Sequence, residues 1–288
     1  MSYHCERMNT IELGPGVYGF THPDPAFGNS NSGLIIDSDG LTIVDSTTTP
    51  KHAEELFDEI KRITEPLDTR LKRVVLSSSR IPFSGGSSVY WQAAFYGSQA
   101  TSDQLDLPPN PDAFRRLLPG LAEHFHDRYD TRPITHLVSE PSPIGSAAYG
   151  LTLPGESPVN IATYVESADV IFAGALGSFG VVPLAYDGDP LAWAKSLDQL
   201  AELAKTIVPG HGPVGGLADI SDQADYLRAC AAADGDPTNL RAGPWTEWSN
   251  QEFHAVNIER AARLRRGDDA VPDAMFALLG FEPEPGMG

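Results

Sequence analysis

The segment VVLSSSRIPFSGG, residues 74–86, joins a strand-like apolar run to a loop that carries serine, arginine and phenylalanine. An apolar run followed by Gly-Gly is typical of a loop that binds a ligand or a catalytic group at the end of a strand. Within it, Ser78 offers a hydroxyl group, and Arg80 offers a permanently charged guanidinium that can bind carboxylates or developing oxyanions. A second loop, PGHGP at residues 209–213, presents His211, a candidate proton carrier. These residue types indicate polar chemistry at the ends of two strands.

The surrounding apolar pattern predicts the elements that position these loops. Runs rich in branched residues predict strands at residues 16–20, 33–37, 41–45, 73–76, 151–153, 159–165, 169–175 and 206–208. Helical spacing of apolar residues predicts helices at residues 47–63, over most of 111–130, at 190–204 and in several pieces up to about residue 279. Because strand blocks alternate with helices, we expect an α/β fold in which two sheets pack on each other beneath helices.

Four separated segments carry a resemblance to a known family. The segments are NSNSGLIIDSDGLTIVDSTTTPKHAEELFDEI, VVLSSSRIPFSGG, DVIFAGALGSFGVVPLAYDGDPLAWAKSLDQL and IVPGHGPV. In order and spacing they resemble segments of the metallo-β-lactamase-fold hydrolases. The similarity covers roughly residues 11–230, and the nearest branch includes hydrolase-like proteins and aromatic polyketide cyclases. It implies a four-layer αββα sandwich of the metallo-β-lactamase type, with two mixed sheets covered by helices. It also implies a single domain over residues 1–288, with a C-terminal helical extension at about 245–280.

The resemblance also implies a metal site whose ligands this sequence lacks. In the family, a strand ends in His-x-His-x-Asp-His, a later loop supplies a histidine, another strand ends in Gly-Asp, and PGHGP supplies the last histidine. Together these residues hold one or two metals, usually zinc, whose bound hydroxide attacks the substrate. With the motif anchored on Ser84-Gly85-Gly86, its ligand positions are occupied here by Ser78, Arg80, Pro82 and Phe83. The loop histidine falls on Glu156 and the bridging aspartate on Ala175, so that His211 alone is retained.

These losses predict a rebuilt site that holds no metal and no other cofactor. Arg80 restores a positive charge where the family holds cations, and Glu156 can pair with it. Phe83 can fill part of the vacated volume. We therefore expect Arg80 to lie in or face the former metal space, with its charge met by Glu156 or by a bound anion.

Ser78, Arg80, Glu156 and His211 are the candidate catalytic residues, and three functions remain open. The first is a metal-independent enzyme, a cyclase, lyase or hydrolase-like protein of polyketide or other secondary metabolism, that acts on a small oxygen-rich molecule. In it His211 or Glu156 moves a proton and Arg80 stabilises an oxyanion or enolate. The second is a non-catalytic protein that binds a ligand or a partner protein, and the third is a divergent metal-dependent hydrolase with unrecognised ligands. An open pocket lined by His211, Arg80 and Glu156 would favour the first, and a cavity plugged by Phe83 the second.

Each of these residues also has a purely structural interpretation. His211 can serve as a hydrogen-bonded histidine that shapes its Pro-Gly turn, and Arg80 and Glu156 can form a structural ion pair. Ser77 and Ser79 suit capping of amides in their own loop. Ser78 has no recognisable triad partners, and a G-x-S-x-G elbow is absent, which weighs against serine hydrolysis.

Composition narrows the range of partners. Lys and Arg total 20 against 39 Asp and Glu, for a net charge of -19, which disfavours binding to nucleic acid. The most apolar stretch, residues 170–186, is interrupted by glycines and a proline and is too short to span a membrane. We expect a cytoplasmic protein with free thiols at Cys5 and Cys230, a small-molecule partner and a possible homo-oligomeric state.

The EHFHD segment is interpreted as a solvated helical face carrying His124 and His126, not as a metal-binding pair.

Overall fold

The computed structural model describes residues 8–126, 129–139 and 141–281. Seven strands form the first sheet in chain order, namely β1 (Asn9–Gly14), β2 (Val17–Thr21), β3 (Ser32–Asp37), β4 (Gly40–Val44), β5 (Leu71–Val75), β6 (Ala94–Gly97) and β7 (His136–Leu137). The pairs from β1 to β4 are antiparallel, whereas β4 to β7 run parallel to one another. The sheet is therefore mixed.

The second sheet has five strands in the spatial order β12, β11, β10, β9, β8. These are β8 (Ser142–Ile144), β9 (Ala148–Leu153), β10 (Asn160–Val165), β11 (Val170–Ser178) and β12 (Thr206–His211). β11 and β12 are parallel and the remaining pairs are antiparallel, so this sheet is mixed as well.

The α-helices of the described residues lie between and after these strands. They are α1 (Pro50–Thr64), α2 (Ile81–Ser84), α3 (Gln99–Leu105), α4 (Pro111–Leu117), α5 (Pro190–Ala201), α6 (Leu217–Ala232), α7 (His254–Arg265) and α8 (Asp273–Leu278). The sequence explains the start of α1 well. Thr49 caps it by accepting a hydrogen bond from the His52 amide at 3.2 Å, and proline occupies its first turn.

Apolar side chains from the two sheets pack against each other and form the central layer of the core. Ile35 and Val75 of the first sheet share one buried cluster with Ile161 and Phe172 of the second. The sheets approach so closely that a Cβ atom on Gly33 would lie 2.3 Å from the ring of Phe172. Burial of both sheet faces supplies the main hydrophobic stabilisation of such a fold.

Helices cover the outer face of each sheet. On the first sheet, Leu56 and Ile60 of α1 pack with Ile43 and Val74. On the second, α5 and α6 pack on β11 and α7 packs on α5 and α6, within one buried cluster that includes Trp193, Leu197, Leu227, Val256 and Ile171. Helix, sheet, sheet and helix follow one another, which confirms the expected αββα sandwich.

Several local predictions need correction. The predicted strands are present, but β1, β6, β7 and β8 were missed, and the serine loop contains the one-turn helix α2. His124 ends a 3₁₀ helix, its ring lies 6.3 Å from that of His52, and Phe125 is buried, so residues 123–126 do not form a solvated helical face, while Asp127 lies outside the described residues. Cys230 is a buried free thiol, while Cys5 lies outside the described residues. Across the described residues, no helix combines the length and apolar character that a membrane crossing requires.

Candidate functional site

Asp45 and Ser77 hold the serine loop in place between the two sheets. Asp45 follows β4 and accepts hydrogen bonds from the amide and hydroxyl of Ser77 at 2.7 and 2.8 Å. The same hydroxyl accepts a hydrogen bond from the amide of Ala175 in β11, at 3.0 Å. Burial raises the pKa of Asp45 to about 7. Ser77 therefore joins the sheets and does not cap its own loop, which corrects the sequence interpretation.

Arg80 lies in this loop, immediately before α2, and its side chain is 15% exposed. Its Nη2 atom donates a hydrogen bond to the carboxylate of Asp187. Its Nε atom lies 3.9 Å from Oε1 of Glu156, and its Cζ atom lies 3.7 Å from the ring centroid of Tyr186. The guanidinium is thus held by an ion pair, a second carboxyl group and a cation–π contact. The expected approach of Arg80 to Glu156 is present, but the charge of Arg80 is met by Asp187 and not by Glu156, which corrects the sequence expectation.

Glu156 is buried behind Arg80. Burial raises its pKa to about 8, and the nearby guanidinium of Arg80 and hydroxyl of Ser78 only partly oppose that shift. The Oε1 atom of Glu156 and the Nε atom of Arg80 are both buried without a hydrogen-bond partner among the described residues. Glu156 is therefore mostly protonated at neutral pH and contributes little negative charge to the site.

His211 lies at the end of β12, enclosed by aromatic rings. The ring centroids of Phe27 and Phe83 each lie 5.2 Å from that of His211. Neither ring nitrogen has a hydrogen-bond partner within the described residues, and burial lowers the pKa of His211 to about 3, although the backbone of Asn29 and Ala26 slightly favours the charged form. His211 is a neutral imidazole in an apolar enclosure.

A cavity of about 370 Å³ opens beside Arg80 and is called the Arg80 cavity below. Its walls are mostly apolar side chains, several of them from α4, α8 and the segment that follows α3. They include Phe27, Ile81, Pro82, Leu105, Leu107, Phe114, Leu117, Leu118, Tyr186, Val271, Met275, Phe276 and Leu279. Arg80 is the charged residue of this lining in the part of the chain that the structure describes. Ser78, Glu156 and His211 are not among the lining residues there.

The residues at the former ligand positions do not fit the metal centre of the fold family. Phe83 and Ala175 carry no donor atom, and the charged guanidinium of Arg80 would repel a cation placed next to Glu156. In residues 8–126, 129–139 and 141–281, no three His, Cys, Asp or Glu side chains are arranged to hold an ion.

Asp187 and the residue that supports its loop are not revealed by the sequence pattern. The backbone carbonyls of Asp187 and Gly188 accept hydrogen bonds from the buried guanidinium of Arg260, both at 2.9 Å. That guanidinium also binds the carbonyls of Asp269 and Ala270, at 2.8 and 3.1 Å. Arg260 thus fixes the loop that carries the ion-pair partner of Arg80. The available signal was an aspartate directly after the apolar run, in the tract YDGDP.

Known structures share this architecture. No family model matches the chain. The crystal structure of VMB-1 at pH 5.5 superposes with a TM-score of 0.61 and 16% identity, over 78% of this chain and 98% of that chain. The metallo-β-lactamase FIM-1 from Pseudomonas aeruginosa, in its mono-zinc form, gives a TM-score of 0.59 and 16% identity over 77% of this chain and 96% of that chain. The chain has the metallo-β-lactamase fold.

The inverting sec-alkylsulfatase Pisa1 from Pseudomonas sp. is similar as well, with a TM-score of 0.65 and 15% identity. The match covers 89% of this chain and 50% of the sulfatase, so the chain spans about half of that enzyme's length. At these identities the likeness defines the metallo-β-lactamase fold and leaves activity to be argued from the site.

Proposed function

We propose that this metallo-β-lactamase-fold chain binds a small organic molecule in the Arg80 cavity. The apolar part of that molecule lies against the apolar walls, and an oxygen-bearing group is anchored on Arg80. One observation carries the proposal, namely that Arg80 forms the charged wall of an otherwise mostly apolar cavity of about 370 Å³. Ligand sites in proteins typically combine apolar walls with a few placed polar groups. The Nη1 group of Arg80 makes no hydrogen bond to the described residues, so it can donate to a ligand.

The position of the other candidates supports binding without turnover. His211 is enclosed by Phe27 and Phe83, and Glu156 lies behind Arg80, outside the described lining of the cavity. A proton carrier must come within hydrogen-bond reach of the group that it serves, directly or through one water. Neither side chain is among the described lining residues, so neither forms part of the wall that a ligand would contact. These positions favour a binding protein built on a hydrolase fold.

A metal-independent enzyme is the second candidate, and one observation favours it. The pKa of Glu156 is raised to about 8, and such a shift beside a charged partner is typical of acid–base groups. In that case Arg80 would polarise a carbonyl group, and Glu156 would supply a proton after a movement of Arg80. Cyclase, lyase or hydrolase-like reactions on an oxygen-rich molecule would suit this pair.

A binding screen with matched variants tests the proposal. Aromatic ketones, phenols, esters and acids are titrated into the wild type and into Arg80→Met, and product analysis in the presence of chelator monitors turnover. The control is Arg241→Met, because Arg241 also lies over an aromatic ring, that of Trp245 at 5.4 Å, yet is not among the described lining residues. A lost charged hydrogen bond predicts about 10–100-fold weaker binding for Arg80→Met and no change for the control. Equal binding by wild type and Arg80→Met contradicts the proposal.

A further inference from the structure

The positive charge of Arg80 is already matched within the protein. Its Nη2 atom donates to the carboxylate of Asp187, whose side chain is 37% exposed. Burial raises the pKa of Asp187, whereas the guanidinium favours its charged form. Because Glu156 is mostly protonated at neutral pH, the Arg80–Asp187 pair sets the charge of the site near zero. An incoming carboxylate would meet no uncompensated positive charge there.

The backbone at Asp187 is also fixed in position by its neighbours. Its carbonyl and that of Gly188 are bound by the guanidinium of Arg260, as described above. The backbone of Gly188 also packs so tightly that a Cβ atom would lie 2.1 Å from the carbonyl oxygen of Gly155. The backbone that carries Asp187 is therefore held by Arg260 and by packing against Gly155, which places the carboxylate beside Arg80.

We infer that Asp187 makes the Arg80 cavity selective for uncharged oxygen acceptors, such as the carbonyl oxygen of a ketone or ester, over carboxylates of the same shape. The inference rests on the proposed function and names its ligand class. A neutral carbonyl can accept a charge-assisted hydrogen bond from Nη1 of Arg80 and leave the ion pair intact. A carboxylate would place a second negative charge beside Asp187 in a partly desolvated site, and like charges there repel.

The test uses two probes that differ in charge and little in shape, 2-acetylnaphthalene and 2-naphthoate. Both are titrated by calorimetry at pH 7.5 into the wild type, Asp187→Asn and Asp189→Asn. Asparagine at residue 187 keeps an oxygen that can accept from Nη2 of Arg80 while its charge is removed. Asp189→Asn is the matched control, because it removes the same charge two residues away and asparagine still caps α5.

The inference predicts that the wild type binds the ketone at least ~10-fold more tightly than the acid. In Asp187→Asn, binding of 2-naphthoate should strengthen by about 10-fold and binding of the ketone should change by less than about threefold. Asp189→Asn should behave as the wild type. Equal wild-type affinity for the two probes, or the same response from both variants, overturns the inference while leaving the proposed function intact. If the wild type binds neither probe nor any member of the wider screen, the proposed function fails and the inference falls with it.

Discussion

The rings of Phe83 and His211 pack against each other, with their centroids 5.2 Å apart. By the family resemblance, both positions correspond to metal ligands, and here the imidazole faces a phenyl ring. The phenyl ring also touches the second sheet, since a Cβ atom on Gly210 would lie 2.5 Å from it. The space between the two sheets at His211 is therefore partly filled by core packing.

Removal of the Phe83 ring should destabilise the fold strongly. Phe83 is fully buried, and Phe83→Ala is expected to lower the free energy of unfolding by about 3–5 kcal/mol because it leaves a cavity beside His211. Urea denaturation monitored by circular dichroism measures this change. Phe276→Ala, the same change at a half-buried wall of the Arg80 cavity, should cost clearly less. Equal losses in the two variants would show that Phe83 has no special place in the core.

Zinc should not occupy the region around His211. The protein purified from zinc-supplemented cells is expected to hold well under one equivalent of metal there, because zinc needs three or four donors in a tetrahedral array. Elemental analysis of the wild type and of His211→Ala should therefore give the same metal content, and chelator should leave the melting temperature unchanged. About one equivalent of zinc that disappears in His211→Ala would contradict this account of the site.

Glu156 should make the protein less stable at alkaline pH. Its pKa is near 8 in the folded state against a reference value of 4.5, so the folded state holds the proton more tightly. The stabilisation that comes from protonated Glu156 is complete below pH 4.5 and is lost as the pH rises through 8. The raised pKa of Asp45 also makes stability fall as the pH rises, but only up to its value of about 7. The slope of unfolding free energy above pH 7 therefore reports on Glu156.

The matched variant is Glu156→Gln, which keeps the shape and removes the titration. Between pH 7 and 8.5 the wild type should lose on the order of 1 kcal/mol of unfolding free energy relative to this variant. Denaturant titrations at several pH values give the two curves. Parallel curves would mean that the carboxyl group is ionised at neutral pH.

A histidine cluster at the start of α1 should destabilise the protein in acid. The ring of His52 lies 5.8 Å from that of His22 and 6.3 Å from that of His124. Burial lowers the pKa of His52 and of His22 to about 4, so stability is lost as the pH falls from 6.5 toward 4. His52→Phe keeps a ring and should recover about 1–2 kcal/mol at pH 5, measured as unfolding free energy.

The control for this prediction is His136→Phe at an exposed ring that stacks on Tyr96, with centroids 4.7 Å apart. It adds apolar surface without removing a buried imidazole, so it should not give the gain at pH 5 that His52→Phe gives. An equal gain in acid from both substitutions would assign the effect to added apolar surface rather than to the buried imidazole of His52.

The sequence predicts the long buried strands because their signal is local. β4, β10 and β11 are largely buried runs rich in apolar and branched residues, and the hairpin between β3 and β4 follows from a tight-turn tract. Short edge elements such as β7 and β8 carry too few residues for a pattern to appear. The single helical turn α2 also lacks a periodic signal, since four residues cannot show one.

The sequence likewise predicts some contacts of the candidate site and not others. The meeting of Arg80 and Glu156 could be predicted because both stand at positions that the fold brings together. The role of Asp187 could not, because its loop is held by Arg260 from a helix about 70 residues later in the chain. Nor does the sequence reveal that Phe27 and Phe83 enclose His211, since that contact depends on packing of three distant segments.

The claim that Arg80 anchors the ligand is tested most directly by a crystal structure of the protein with a neutral aromatic ketone bound. The ring of the ketone should lie inside the Arg80 cavity, with its carbonyl oxygen about 2.7–3.2 Å from a guanidinium nitrogen of Arg80. The ion pair between Arg80 and Asp187 should remain. A ketone bound elsewhere on the chain, or bound in the cavity with its oxygen directed away from Arg80, would contradict the claim.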